Sequence, residues 1–144
     1  MKVSFIVAIV TFLEIKKLYT LLGDHKIMDL LDWPELSDST YSAIAAMLNK
    51  CLTAAYFLDM NLTLFLAAKV VIISIIHGNS TYSCFTYVMY GLLEKSKYHV
   101  FDKVVDWGIL GITLCERYSQ VTLMADRGQV WNVYGGKKKK KNKV

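Results

Sequence analysis

The side chains that could act as acids, bases or metal ligands are scattered along this sequence. His25, His77 and His99 lie far apart in the chain. Asp102 and Asp106 are four residues apart, so a helix would place both carboxylates on one face. Paired carboxylates can perform acid–base chemistry. With Lys103 between them in the sequence, however, a solvated helix face is the favoured interpretation.

None of the familiar catalytic or cofactor motifs occurs in the 144 residues. The sequence has no GxxxxGK phosphate loop, GxGxxG fingerprint, kinase catalytic loop or HExxH zinc motif. Its cysteines are odd in number and lack CxxC spacing, which argues against disulfides and zinc. We interpret Cys51, Cys84 and Cys115 as small buried side chains in a reducing compartment. We therefore predict no catalytic residue, no metal, no cofactor and no enzymatic activity.

The elements that must position these side chains are predicted to be helices. The chain is 54% hydrophobic and has one proline and eight glycines, which leaves long uninterrupted segments able to bury a core. Leu62–Ile76 is apolar on almost every side, and this indicates a buried helix. It is shorter than the ~20 residues that span a bilayer, and it contains Lys69. A helical stripe then predicts the next helix, through Tyr82, Phe85, Met89, Leu92 and Leu93.

A tight corner, His77–Ser80, joins these two central helices in the sequence. Gly78 can adopt the left-handed conformation that ends a helix. Asn79 or Ser80 can then cap the first amides of the next helix. Gly78, Asn79 and Ser80 are the residues to which we assign a site, and its role is structural.

Four further helices are predicted around this pair. Val3–Leu22 is apolar at first and amphipathic later, and Gly23 closes it. Tyr41–Leu58 carries an apolar stripe, and Gln120–Tyr134 is a weaker helix. The stripe in Tyr41–Leu58 consists of Ile44, Met47, Leu48, Cys51, Leu52 and Ala55. The next predicted helix is Phe101–Tyr118, and one of its faces carries Phe101, Val104, Val105, Gly108, Ile112 and Cys115. Gly108 and Gly111 add little bulk on that side, so a neighbouring helix could approach closely there.

Helix starts recur about every 20 residues, so one hairpin takes ~40 residues, the period of an α-solenoid. We therefore predict an all-α fold of antiparallel helical hairpins stacked as a short, tetratricopeptide-like α-solenoid. Residues 1–136 would form a single helical-array domain, and residues 137–144 a disordered lysine-rich tail. That tail holds six of the 17 basic residues, so the net charge of +5 does not indicate a basic binding face.

Three stretches, His25–Phe57, Leu64–Leu93 and Val105–Ser119, together resemble a known family. They contain Trp33-Pro34-Glu35 after a leucine-rich turn, a Gly78–Ser80 corner, Tyr87–Gly91 with the pattern YxxYG, and Gly108–Arg117 with the pattern GxxG followed by Glu-Arg. The combination resembles the tetratricopeptide-like helical region of large bacterial multi-sensor signal transduction kinases. In that family the helical region lies between kinase-like and AAA-type ATPase domains and GAF and histidine-kinase domains. The resemblance covers roughly residues 14–134 and includes no catalytic motif, so we expect a fragment of such a protein.

The resemblance implies a linker and protein-interaction scaffold in signal transduction, located in the cytoplasm. Its partners would be neighbouring kinase, ATPase or sensor modules, or another copy of the chain. An alternative is a small membrane-anchored protein that uses residues 3–22 and 62–76 as membrane segments, although the short runs and Lys69 make a membrane partner less favoured. Another alternative is nucleic-acid binding by the lysine tail, but no specific nucleic-acid partner is expected.

Overall fold

The computed structural model describes the backbone of residues 2–135 and the side chains of residues 3–120. Within that part the order is α1 (Lys2–Leu22), a 3-10 helix (Ile27–Asp32), α2 (Ser39–Tyr56), α3 (Met60–His77), α4 (Thr81–Tyr98) and α5 (Val104–Gly135). The described residues form no strand, and one isolated parallel bridge joins Glu35 to Asn79. The predicted all-α class is confirmed. The predicted tail, residues 137–144, lies outside the described residues.

Local side-chain chemistry sets the helix boundaries. Gly23, at φ 58°, closes α1 by donating its amide to the Tyr19 carbonyl at 3.0 Å. The carboxylate of Asp38 caps α2 by accepting the Thr40 amide at 2.8 Å. Asp59 caps α3 in the same way, since it accepts the amide of Leu62 at 3.0 Å. Each cap satisfies backbone donors that a helix start leaves without partners.

Helix α3 is the centre of the fold and packs against α1, α2 and α4. The prediction that it is a buried helix is confirmed, with Leu64, Ala67, Ala68, Val70 and Val71 fully covered. Lys69 reaches the edge of α3, where its Nζ lies 2.8 Å from Glu14 Oε1 of α1. In the described part of the chain α3 is also the one helix long and apolar enough to cross a membrane, and half of it is buried inside the fold.

Helices α4 and α5 form the closest pair, because two glycines allow their backbones to approach. A Cβ atom at Gly91 would lie 2.6 Å from Trp107 Cβ, and one at Gly111 would lie 2.6 Å from the Cys84 carbonyl oxygen. Trp107 is fully buried there between Tyr87 and Tyr90, with ring centroids at 5.7 and 5.1 Å. Helix α5 also packs against the 3-10 helix.

The predicted buried stripes of α2 and α4 are wrong in part. Met47 and Cys51 of α2 are exposed, whereas Ala45 is buried. Phe85 and Leu92 of α4 are about half exposed, and the buried side of α4 carries small, polar and tyrosine residues. The buried residues of α4 are Ser83, Cys84, Thr86, Tyr87, Tyr90, Gly91, Leu93 and Glu94. Both helices carry large apolar residues on two sides, so the apolar stripe alone does not determine which side is buried.

Two predictions for the last helices are also corrected. The face of α5 that contains Gly108 points outward, since a Cβ atom at Gly108 would meet nothing within 4 Å. The buried face is instead Trp107, Leu110, Gly111 and Leu114. The expected break before Gln120 is absent, and α5 is one helix as far as Gly135. At that point the Ser119 hydroxyl donates to the Cys115 carbonyl at 2.9 Å, a bond that is compatible with a continuous helix.

The contact at Gly91 predicts opposite effects for two glycine substitutions in helices. Gly91→Ala should lower the free energy of unfolding by about 1–3 kcal/mol, because its methyl group overlaps Trp107. Gly108→Ala, in open space, should raise it by about 0.5–1 kcal/mol through helix propensity. Urea unfolding measured by circular dichroism gives both values. Equal effects at the two positions would contradict the α4–α5 packing.

Candidate functional site: a buried corner, a buried carboxylate and two outer faces

The corner Gly78–Ser80 lies where it was predicted and has a second function that the sequence did not reveal. Gly78 ends α3 at φ 115°, with its amide donating to the Ser74 carbonyl at 3.0 Å. The extended backbone of Asn79 then pairs with the segment after the 3-10 helix. The Asn79 amide donates to the Pro34 carbonyl at 2.8 Å, and the Leu36 amide donates to the Asn79 carbonyl at 2.7 Å. The corner therefore binds a distant loop.

The side chain of Asn79 is buried and does not cap α4. Its Nδ2 donates to the Leu30 carbonyl at 2.6 Å, and its Oδ1 accepts the Tyr87 hydroxyl at 2.5 Å. Ser80 occupies the N-cap position instead, and its amide donates to Ser83 Oγ at 2.9 Å. One asparagine thus joins the 3-10 helix, the corner and α4, and each of its polar atoms has a partner, as burial requires.

A buried carboxylate connects α1 and α4 on the other side of the core. Glu94 is 4% exposed. The Tyr19 hydroxyl lies 2.7 and 2.8 Å from its two carboxylate oxygens, and the Tyr90 hydroxyl lies 3.3 Å from Oε1. Sequence reasoning missed this cluster because Tyr19 and Glu94 are 75 positions apart. The available signal was the spacing of Tyr90 and Glu94, which places both on one side of α4.

The chemistry of this cluster favours a structural role. Burial, and then the neighbouring Glu94 carboxylate, raise the pKa of Tyr19 far above its ordinary value of 10. Burial also raises the pKa of Tyr90, and the nearby Tyr19 and Glu94 add to the increase. Both phenols therefore remain protonated at neutral pH and act as hydrogen-bond donors to the carboxylate.

A cavity of about 450 Å³ opens beside Tyr19, between the end of α1, the 3-10 helix and the start of α5. Its charged lining consists of Lys26, Lys103 and Asp106, together with His25. Lys103 Nζ lies 3.8 Å from the centroid of the Tyr19 ring, so this lysine is used in a cation–π contact. His25 packs edge-on against Trp33 at 5.1 Å.

The remaining nucleophile and base candidates occupy separate, packed positions. His77, the last residue of α3, stacks on Tyr41 at a centroid distance of 3.5 Å. His99 ends α4 in the left-handed conformation. Burial raises the pKa of the Cys84 thiol to about 12, so it is protonated at neutral pH. Cys51 and Cys115 are exposed, which corrects the expectation that all three cysteines are buried, and all three are free. The described residues contain no group of side chains able to hold a metal ion.

Exposed apolar side chains line one face of α1 and one face of α5, in addition to those of Phe85 and Leu92 on α4 and of residues 56–58 at the end of α2. The first, the α1 outer face, lies opposite the buried residues Thr11, Glu14, Ile15 and Leu18. It consists of Val3, Phe5, Ile6, Ile9, Val10, Phe12 and Leu13, which are 42–74% exposed. The second, the α5 outer face, lies opposite Trp107, Leu110 and Leu114. It consists of Val105, Gly108, Ile109, Ile112 and Cys115, together with Phe101, which lies just before the helix.

The described part of the chain is thus an all-helical protein in which buried polar groups join helices and apolar surface faces outward. Comparison with protein-family models, with curated proteins and with solved structures finds no match. None of these comparisons links the chain to multi-sensor kinases, and that resemblance stays a prediction from the sequence.

The structure of the corner predicts that alanine substitution lowers stability by different amounts at two glycines of positive φ. Gly78→Ala should cost about 1–3 kcal/mol for backbone strain and a similar amount for overlap, because its Cβ would lie 2.5 Å from the Pro34 carbonyl oxygen. Gly23→Ala should cost about 1–2 kcal/mol, since its nearest neighbour atom is 3.9 Å away and strain alone applies. Chemical unfolding of both variants checks this. A smaller loss of stability at position 78 than at position 23 would refute the close contact between the Gly78–Ser80 corner and residues 34–36.

The buried tyrosines predict sensitivity to alkali. Their pKa values are raised in the folded state, so the stability they contribute is complete below about pH 10 and is lost above it, as the unfolded chain releases phenolic protons. Each such tyrosine adds a slope of up to ~1.4 kcal/mol per pH unit.

Tyr90→Phe should lower stability at neutral pH yet flatten the decline between pH 10 and pH 12. Tyr56→Phe, at an exposed ring, is the matched control and should leave the slope unchanged. Urea unfolding at a series of pH values measures both. An identical slope in wild type and Tyr90→Phe would contradict burial of the Tyr90 phenol.

Proposed function

We propose that this chain is a non-catalytic helical-repeat segment that acts as a linker and protein-interaction scaffold in signal transduction. The observation that carries the proposal is the pair of outer faces on α1 and α5. Seven large apolar side chains on one side of α1 expose on the order of 500 Å². That area is near the upper limit of the largest patch on a typical monomer, ~300–600 Å², and such patches commonly mark sites of protein contact.

The arrangement of the helices supports the part of the proposal that describes a helical repeat. Short links join α2 to α3 and α3 to α4, so these consecutive helices form hairpins that share α3. A short, tetratricopeptide-like α-solenoid accounts for both this connectivity and the outward apolar faces. In such arrays each unit covers its neighbour, and the end units leave a face uncovered.

The proposed partners follow from the resemblance in residues 14–134. They are the kinase, ATPase or sensor modules of a bacterial signalling protein, or a second copy, in the cytoplasm. Three free cysteines fit a reducing compartment. The buried Tyr19–Tyr90–Glu94 cluster fits a stabilising role, since its phenols are protonated hydrogen-bond donors.

A second candidate, a membrane-anchored protein, is favoured by one observation. The first half of α1 exposes apolar side chains over one whole side, as a helix in contact with lipid would. Against it, half of α3 is covered by other helices, and Lys69 of α3 is paired with Glu14. Unpacking α3 for insertion would expose that ion pair and the apolar surfaces of three neighbouring helices.

The scaffold proposal predicts a chain that binds hydrophobic probes and transfers no phosphate. The purified protein should enhance the fluorescence of the dye ANS at neutral pH, because the outer faces are apolar. Incubation with ATP and Mg²⁺ should label neither the chain nor added protein substrates. After expression in bacteria, carbonate extraction should leave the chain in the aqueous fraction.

Phosphate transfer would refute the non-catalytic assignment. Retention in the carbonate-resistant membrane pellet would support the second candidate instead. A protein that binds no dye would contradict the exposed faces on which the scaffold proposal rests.

A further inference from the structure

The two outer faces differ in the charges beside them. On α1, the exposed residues one turn beyond Leu13 are Lys16 and Lys17. The acidic residue of that segment, Glu14, points the other way and pairs with Lys69. The Lys16 Nζ lies 5.1 Å from the Phe12 ring centroid, so its charge borders the apolar side chains directly. The α1 outer face is therefore apolar with a basic end.

The α5 outer face is bordered by acidic residues. Asp102, Asp106 and Glu116 are all exposed, and no described cation lies within ion-pair distance of them. Two nearby cations are engaged elsewhere: Arg117 donates to the Leu31 carbonyl at 2.7 Å, and Lys103 lies over the Tyr19 ring. A third, Lys95, lies over Phe101 of this face, with its Nζ 5.2 Å from the ring centroid. The α5 outer face is therefore apolar with a border of three carboxylates and one lysine.

We infer that the α1 outer face of one copy docks on the α5 outer face of a second copy of this chain. The inference rests on the proposed scaffold function and names one partner for it. Opposite charges beside apolar surfaces favour this pairing, whereas α1 against α1 would bring lysines together and α5 against α5 would bring carboxylates together.

The dimensions of the two faces agree. Residues 3–13 of α1 and residues 105–115 of α5 are both 11 residues long, so each stretch extends ~16 Å at 1.5 Å per residue. Gly108 lies within the α5 outer face with open space above it, so another helix can approach the backbone there. Large residues of α1, such as Phe5 and Ile9, can fill that depression.

The exposed area is also sufficient. Together the two faces present apolar surface on the order of 900 Å². Because about 57% of a typical interface is non-polar, this corresponds to a contact of roughly 1,600 Å², the size of a standard specific interface. The contact joins different surfaces of the two copies, so it is heterologous, and each added copy leaves one face of each kind uncovered.

The test uses one like-charge substitution in each face of the full chain. Ile9→Glu places a carboxylate against the acidic α5 border, and Ile112→Arg places a cation against the lysines of α1. Both positions are about half exposed, so the fold should tolerate the changes. Ile76→Glu and Ile76→Arg are matched controls, since Ile76 of α3 is 53% exposed and belongs to neither face.

Sedimentation velocity should show wild type and both Ile76 controls in species whose mass rises with protein concentration. Ile9→Glu and Ile112→Arg should each associate at least about tenfold more weakly. An equimolar mixture of the two should associate again, because Ile112→Arg retains an intact α1 outer face and Ile9→Glu retains an intact α5 outer face. Circular dichroism checks that both remain folded.

Other outcomes overturn the inference in distinguishable ways. Self-association by one variant alone would show that identical faces pair. Loss of association in the Ile76 controls would place the contact elsewhere. A monomeric wild type that still binds dye would refute pairing of copies while leaving the scaffold function intact. A monomeric chain that floats with phosphatidylglycerol vesicles through α1 alone would assign the α1 outer face to a lipid surface.

Discussion

The structure depends on the need to cover the apolar residues of α3. Its residues are apolar all round, so no orientation of this helix leaves a polar face for water. Helices α1, α2 and α4 share that task, and the one charge, Lys69, is accommodated by Glu14 at the edge of the contact with α1. Because α1, α2 and α4 each pack one side against α3, their opposite sides become the surface of the protein.

The backbone pairing at Asn79 fixes how the chain runs between these helices. The link between α1 and α2 is held in place by the hydrogen bonds that join Pro34 and Leu36 to the extended backbone of Asn79. The Trp33 indole adds a hydrogen bond of 2.8 Å to the Ile75 carbonyl. The corner therefore closes the α3–α4 hairpin and, with the same few residues, anchors a loop more than 40 positions away.

Much of the fold could be predicted because helix ends are coded locally. Gly23 and Gly78 end helices where the sequence placed them, and α3 was recognisable from its composition. The buried sides of α2, α4 and α5 could not be predicted in the same way. Each of these helices has apolar residues on two sides. A stripe of apolar residues spaced three and four positions apart can therefore be drawn along either side. Close packing at Gly91 and Gly111, which are distant partners in sequence, decides which side is buried.

The same ambiguity explains why the sequence did not reveal which residues form the candidate site. Residues expected to fill the core, such as Phe85, Val105 and Ile112, are outside, while Glu94 and Asn79 are inside with complete sets of partners. A core with polar side chains specifies which helices meet, since each buried group needs one particular neighbour. The apolar residues displaced to the surface are exposed in the described part of the chain. The proposed contact with a second copy rests on those of them that lie on α1 and α5.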